Sequence, residues 1–405
     1  MKEFETYTLP NGIKGIHRRV KSSISHCALV VNAGTRDELK SEYGLAHFAE
    51  HAIFKGTTHR KAYQVNCRLE NLGGELNAYT TKEDTTIHAT TLKSDFSKAA
   101  ELIADVAFHS TFPEKELQKE REVIMDEINT YKDSPAEMIF DSFEDMIFAG
   151  SELGHNILGT KAALMRHDGD AIRRFIERTH TTDQMVFSTI GNLSLKSVQG
   201  VAERYFGSKD ATKRTFQRSA PAEVEPFEKT VTKHTHQAHC IVGARAYDIN
   251  AEKRLPLALL VNILGGPSAN SRLNILLREK NGLSYNIEAN YTPYNDCGMV
   301  AIYFSSDHHN VDHCRELIAK ELQSLRTAPL SSRRMAMTKR QFLAQMAISM
   351  ENNEGYMLGA GKSFLVHDEI DTLEEVYRKV SAVTAEQIME VAEEIFSNTS
   401  TLLYL

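Results

Sequence analysis

Paired cysteines are missing from this sequence. Cys27, Cys67, Cys240, Cys297 and Cys314 are odd in number, and no two share the C-x-x-C spacing. That excludes a disulfide framework and suits free thiols in a reducing compartment. A basic excess is missing as well: the formal net charge is −7, which argues against nucleic acid as a partner and weakly favours cationic ones such as basic peptides. Long hydrophobic runs are also absent. The longest apolar-rich stretch, Leu255–Leu264, is too short to span a bilayer, and Met-Lys-Glu-Phe-Glu-Thr-Tyr at the N-terminus has neither the apolar run of a signal peptide nor the bias of a transit peptide. A cytoplasmic protein that binds neither nucleic acid nor membrane is the expectation.

What is present describes an ordinary soluble globular chain, 41% apolar and 25% charged. At 405 residues it exceeds one core and suits two domains of about 200 residues each. The first is placed at residues 1–210 and the second at 230–405. Between them, 211–229 carries Pro221 and Pro226, mixed charge and few apolar residues, the composition of a linker.

Along the first part, Thr6–Leu9 and Ile13–His17 flank Pro10-Asn11-Gly12, a hairpin signal. His26–Ala33 reads as an internal strand and Ser94–Phe108 as an amphipathic helix. Pro113 opens an acid-rich helix, Glu114–Tyr131. Ala136–Ile147 and Thr160–Arg178 read as further helices, and Met185–Gly191 as a strand. The second part repeats the pattern. Cys240–Ala246 answers His26–Ala33, Leu283–Tyr291 and Met299–Ser305 answer the strands around Thr80–Thr86, and Asn310–Leu325 answers the helix at Ser94. Gln341–Phe364 reads as one long helix. The fold class is α+β: two structurally similar domains, each a mostly antiparallel sheet packed with helices on one face.

The chemistry concentrates in Gly44-Leu-Ala-His-Phe-Ala-Glu-His-Ala-Ile-Phe-Lys-Gly-Thr57. On a helix His47 and His51 stand four apart and share a face. Two neutral imidazoles so presented suit zinc, and Glu50, beside that face, suits a general base. The order H-x-x-E-H is the reverse of H-E-x-x-H, the inverzincin signature. A bare histidine pair binds nothing in most cases, so a third ligand decides the matter. The helix holding Glu114, Glu116, Glu120, Glu122, Asp126 and Glu127 is the obvious donor. Glu120 and Glu127 lie two turns apart on one face, but spacing alone does not choose among the six acids.

His47-Phe-Ala-Glu-His51, Lys55-Gly-Thr57 and Glu120-Arg-Glu-Val-Ile-Met-Asp-Glu127 together resemble the pitrilysin family of metallopeptidases. That group includes insulin-degrading enzymes and mitochondrial processing peptidases. The resemblance implies one zinc ion per chain with His47, His51 and Glu127 as ligands, Glu50 as base and Glu120 as the carboxylate that orients a ligand. It reaches the second part too: Arg278-Glu-Lys-Asn-Gly-Leu-Ser-Tyr285 is similar to the family's Arg/Tyr segment, which implies substrate and transition-state contacts from Arg278 and Tyr285. Without it, a surface arginine and a core tyrosine explain the pair equally well. Gly74-Glu-Leu-Asn77-Ala78 resembles the family's substrate-binding edge strand, implying that Asn77 and Ala78 meet an extended peptide.

Long members of the family fuse two such halves and draw the zinc motif from one and Arg/Tyr from the other. A chain of this length therefore implies a homodimer with a composite active site. The long glycine-rich loop of the processing peptidase's noncatalytic subunit is lacking, with only Gly265-Gly266 nearby, so presequence cleavage is not implied. The expected activity is zinc-dependent endopeptidase action on peptides or unfolded polypeptides. The alternative is a non-catalytic structural or partner subunit of a heteromeric complex. Two other histidine clusters, His308/His309/His313 and His234/His236/His239, have neither a glutamate in the base position nor an acidic partner helix, and solvated faces explain them better.

Overall fold

The computed structural model describes residues 3–405, which separate into two compact units. The first comprises the chain up to Asn129, His155–Ser219 and Ile348–Thr372; the second comprises Thr130–Gly154, Ala220–Ala347 and Leu373–Leu405. The units thus exchange one helical segment each along the chain.

In the first unit the strands are β1 (Glu5–Thr8), β2 (Lys14–Arg19), β3 (Ile24–Val31), β4 (Glu75–Thr80), β5 (Thr85–Leu92) and β6 (Met185–Gly191). They form a sheet in the order β1-β2-β6-β3-β5-β4. The β2–β6 pair is parallel and the others antiparallel. The β1–β2 hairpin turns where the sequence signal lies, and Gly12 takes φ 96°, a backbone state that L side chains resist.

The run Cys27-Ala-Leu-Val-Val31 occupies the middle of the sheet, and alternate residues point to opposite faces. Cys27, Leu29 and Val31 pack in the core that holds Leu102 and Ile103 of the helix Phe96–Phe108. Ala28 and Val30 pack with Met357 and Ala360 of the helix Asn353–His367. Gly361 permits this approach, since a Cβ there would lie 2.9 Å from Val30 Cγ2. The α+β expectation therefore holds with an addition: the face opposite the main helical layer is covered too. A strand apolar on both sides needs both covers, because each fully buried Val or Leu contributes roughly 1.5–3 kcal/mol.

The second unit repeats the plan with β7 (Glu228–Val231), β8 (Ala238–Ala246), β9 (Ser284–Pro293), β10 (Gly298–Ser306) and β11 (Ser400–Tyr404). Their order is β7-β11-β8-β10-β9, with β7–β11 parallel and the rest antiparallel. With β1 set aside, the first sheet has the same sequence of pairings, and β8, β9 and β10 stand where β3, β4 and β5 stand. One face of this sheet packs with the helices Val311–Thr327 and Ala385–Phe396, the other with Pro135–Ile147 through Ile139 and Phe143.

Two helices expected to be continuous are broken. Gln341–Phe364 divides into Ser332–Met350 and Asn353–His367, because Asn352 caps the second by accepting from Gly355 N at 3.1 Å. Thr160–Arg178 divides into Lys161–Leu164 and Gly169–Thr179, where Asp168 accepts from Ala171 N at 2.8 Å. Residues 208–227 carry no helix or strand, yet 208–219 belong to the first unit and 220–227 to the second. Arg218 donates to both oxygens of Asp37, at 2.9 and 2.7 Å.

Candidate metal centre

The zinc-motif helix is short, Leu45–Ala52, and apolar enough on one side to bury Leu45, Phe48, Ala49 and Ala52. Its N-terminus is capped by a buried carboxylate. Glu38 accepts from Gly44 N at 3.0 Å and from Ala46 N at 2.7 Å, and His155 Nε2 lies 2.7 Å from Glu38 Oε2. Burial drives the Glu38 carboxyl upward, while His155 and the two amides oppose it. The acidic helix Glu114–Lys132 is seated by Arg121, whose guanidinium lies 5.6 Å from the Phe48 ring centroid and donates to His167 O at 2.7 Å.

These two helices bring His47, His51, Glu120 and Glu127 together. His47 Nε2 and His51 Nε2 lie 3.7 and 3.6 Å from the same atom, Glu127 Oε2. The two rings meet edge to face with centroids 4.6 Å apart. His51 Nδ1 lies 2.8 Å from Glu120 Oε1, and Lys55 Nζ 2.6 Å from Glu120 Oε2. Burial, and then the neighbouring His51, lower the His47 pKa to about 4, so this imidazole is neutral at physiological pH and free to act as a ligand. For His51 burial acts in the same direction, but Glu120, Glu127 and Glu50 outweigh it and raise its pKa. Burial opposes ionisation of Glu120 too, yet His51 and Lys55 hold its carboxyl below the usual range.

Glu50 stands on the same helix, half-buried, beside Thr80 and lining a largely apolar cavity with Ala49, Ile53, Thr85 and Ile87. Burial pushes its carboxyl above the ordinary value; Thr80 and His51 oppose this and the Glu127 charge adds to it.

The donor set fits zinc. Two imidazole nitrogens and a carboxylate oxygen converge within 4.8 Å of one another, one imidazole has its second nitrogen anchored by a carboxylate, and an open side remains because Glu127 is half exposed.

The remaining candidates stand on other elements. Asn77 and Ala78 sit on β4, the edge strand of the first sheet, which pairs only with β5. Arg278 is the last but one residue of a π-helical turn, Asn274–Glu279, and Tyr285 the second residue of β9, both in the second unit. The Arg278 guanidinium lies 4.6 Å from the Tyr285 ring centroid, and Tyr285 is 78% exposed. A core tyrosine is thus ruled out. In the other histidine clusters His239 Nδ1 lies 2.8 Å from Tyr303 Oη and His308 Nε2 lies 2.9 Å from Thr235 O. Sequence reading passed over Glu38 and His155, which reach the motif helix through the fold alone, and gave no role to Arg121, which stands within the Glu120–Glu127 motif and meets Phe48.

The fold and this centre define a class, metallopeptidase-like chains built from two similar α+β halves, and comparison with known proteins makes it specific. Residues 16–161 match the insulinase model of peptidase family M16, and 168–342 match the M16 model described as an inactive domain. The uncharacterized zinc protease YmxG of Bacillus subtilis is 32% identical over 397 residues, covering 98% of this chain and 96% of its own. An uncharacterized zinc protease of Rickettsia bellii is 30% identical, covering 92% and 90%. A protease from Helicobacter pylori has the same fold, with TM-score 0.91 at 19% identity and full coverage of both chains. So has a Pseudomonas fluorescens M16 inactive-domain structure, with TM-score 0.92 at 16% identity over 99% and 98%. The chain belongs to the M16, insulinase or pitrilysin, family of peptidases. Among the described residues no helix is long and apolar enough to cross a membrane.

Proposed function

We propose that the chain is a zinc-dependent endopeptidase acting on peptides and unfolded polypeptides. The observation that supports this most is the convergence of His47 Nε2 and His51 Nε2 on Glu127 Oε2 at 3.7 and 3.6 Å, with a raised Glu50 carboxyl on the same helix. His47, His51 and Glu127 would hold one zinc ion, which when bound supplies Lewis acidity toward a peptide carbonyl and an attacking water. Glu50 accepts the proton of that water at its carboxylate and later delivers it to the leaving amine nitrogen. Glu120 keeps the His51 ring turned so that Nε2 is the free nitrogen. Asn77 and Ala78 on the open edge of β4 pair with the backbone of an extended substrate, which gives affinity with little sequence preference.

Arg278 and Tyr285 complete the site by donating to the carbonyl oxygen as charge develops there. In this reading they serve the zinc centre of a second copy of the chain, in a homodimer. Along the sequence the proposed domains are 1–210 and 230–405, joined through 211–229, with 130–154 and 348–372 each contributed to the other compact unit. A cytoplasmic location accords with the five free cysteines. The test is Glu50→Gln, assayed for bound zinc and for cleavage of an unstructured fluorogenic peptide. Retained zinc with activity reduced at least ~10²-fold is expected; a fully active variant would overturn the mechanism.

A further inference from the structure

A second convergence of metal-binding side chains lies just beyond the motif helix. His59, Asp105 and His109 also present ligand atoms within 4.8 Å of one another. Asp105 is buried in the helix Phe96–Phe108, and its two oxygens are used differently. Oδ2 accepts from Thr57 Oγ1 at 2.9 Å and from Arg60 at 2.6 Å. Oδ1 faces two imidazoles, with His59 Nδ1 at 2.6 Å and His109 Nδ1 at 3.5 Å. Burial opposes ionisation of Asp105, but His59, Arg60 and Thr57 hold its carboxyl below the usual range, so it is a carboxylate at neutral pH.

His109 carries the argument. Its Nδ1 is buried and has no hydrogen-bond partner, yet it points toward the one carboxylate oxygen that Arg60 leaves open. With zinc–ligand bonds of about 2.0–2.2 Å, tetrahedral neighbours lie about 3.3 Å apart, close to the observed 3.5 Å. A proton bridges that gap poorly and a cation bridges it well. His59 must retreat by about 0.7 Å to reach the same spacing, which its exposed position on a loop allows.

The backbone holds both histidines in place whether or not an ion is bound. Thr58 N donates to His109 O at 2.9 Å, Thr111 N donates to Gly56 O at 3.0 Å, and Thr57 bridges to Ser110. The Arg60 and Thr57 bonds to Oδ2 fix the carboxylate plane, the role that an outer partner plays for a metal ligand.

We propose that His59, His109 and Asp105 form a second divalent-cation site, specific for metals that accept imidazole nitrogen, zinc above all. Bound there, the ion ties the loop 56–60 to the helix Phe96–Phe108. That loop directly follows Lys55, the residue that shares Glu120 with His51, so the second ion stiffens the support of the first. Arg60 beside the carboxylate makes this the weaker of the two sites.

The experiment is a titration of the metal-stripped full chain with Zn²⁺, followed by calorimetry, and with Co²⁺, followed by visible absorption. The wild-type chain is expected to take two equivalents, the second more weakly. His59→Ala and His109→Ala are each expected to take one. A His51→Ala chain, lacking the first centre, is expected to keep one equivalent that a further His109→Ala removes. Two equivalents in both single variants, or none in His51→Ala, overturns the proposal. Because His51→Ala reads the second site alone, failure here is distinct from failure of the proposed function. Unchanged far-ultraviolet dichroism is expected in both variants, and the metal-free Tm is expected to fall more in His59→Ala, which loses the 2.6 Å contact to the buried Asp105, than in His109→Ala, whose Nδ1 lies 3.5 Å away.

Discussion

His51 Nδ1 lies 2.8 Å from Glu120 Oε1, and this contact decides which nitrogen of His51 is left to face Glu127. A ring held at one nitrogen by a carboxylate has a defined tautomer and orientation, which strengthens the other nitrogen as a ligand. Glu120→Gln is therefore expected to weaken zinc binding by about 10–100-fold. Competition with a chromophoric chelator measures this, and unchanged affinity would assign Glu120 a purely structural role with Lys55.

Glu38 is a buried carboxylate that satisfies two amides at the start of the motif helix and one imidazole. Glu38→Ala leaves all three without a partner. A loss of roughly 2–4 kcal/mol of unfolding free energy is expected, since each orphaned buried polar group costs about 1–3 kcal/mol and some regain water. Urea denaturation of the metal-free chain reads it directly.

If the active site is composite across two copies, inactive variants should complement each other. A Glu50→Gln homodimer lacks the base and an Arg278→Ala, Tyr285→Phe homodimer lacks the donors, but a mixed dimer contains one site with neither defect. Mixing equal amounts under exchanging conditions is expected to restore activity to roughly one quarter of the wild-type level, for random pairing of a two-fold dimer. No recovery, with exchange demonstrated by mass, would place both elements in one chain.

His180 is half-buried, and the apolar surroundings of its ring hold its pKa down to about 4 from the usual 6.5, against the pull of Asp37. The folded chain thus keeps this ring neutral where the unfolded chain takes up a proton. Stability is full above about 6.5 and falls as pH drops from 6.5 toward 4, at up to about 1.4 kcal/mol per pH unit. His180→Gln is expected to flatten that part of a stability–pH curve. An unchanged slope would assign acid lability to other groups.

Much of the fold was legible because local patterns and tertiary demands agree. Pro10-Asn11-Gly12 turns where an Asn-Gly signal should, and Glu114–Lys132 runs as a helix from just after Pro113. The repeat emerged from pattern alone and reappears as a shared order of strands. Two helices were read as too long because the caps at Asn352 and Asp168 are single polar residues within otherwise helical stretches. The covering of each sheet's second face was also missed. It is supplied by Asn353–His367 for the first sheet and by Pro135–Ile147 for the second, both remote in sequence from the strands they cover.

By itself the sequence determined the spacing His47, Glu50, His51, because helical geometry places four-apart residues on one face whatever surrounds them. It offered six acids as a third ligand without choosing among them on spacing. The family resemblance singled out Glu127 and Glu120, and the tertiary structure turns Glu127 toward both imidazoles and sets Glu120 behind His51, since that depends on how one helix is seated on the other. The same reason hid His59, Asp105 and His109. Asp105 lies 46 residues from His59, and nothing but the packing of a loop on a helix brings them to 2.6 Å.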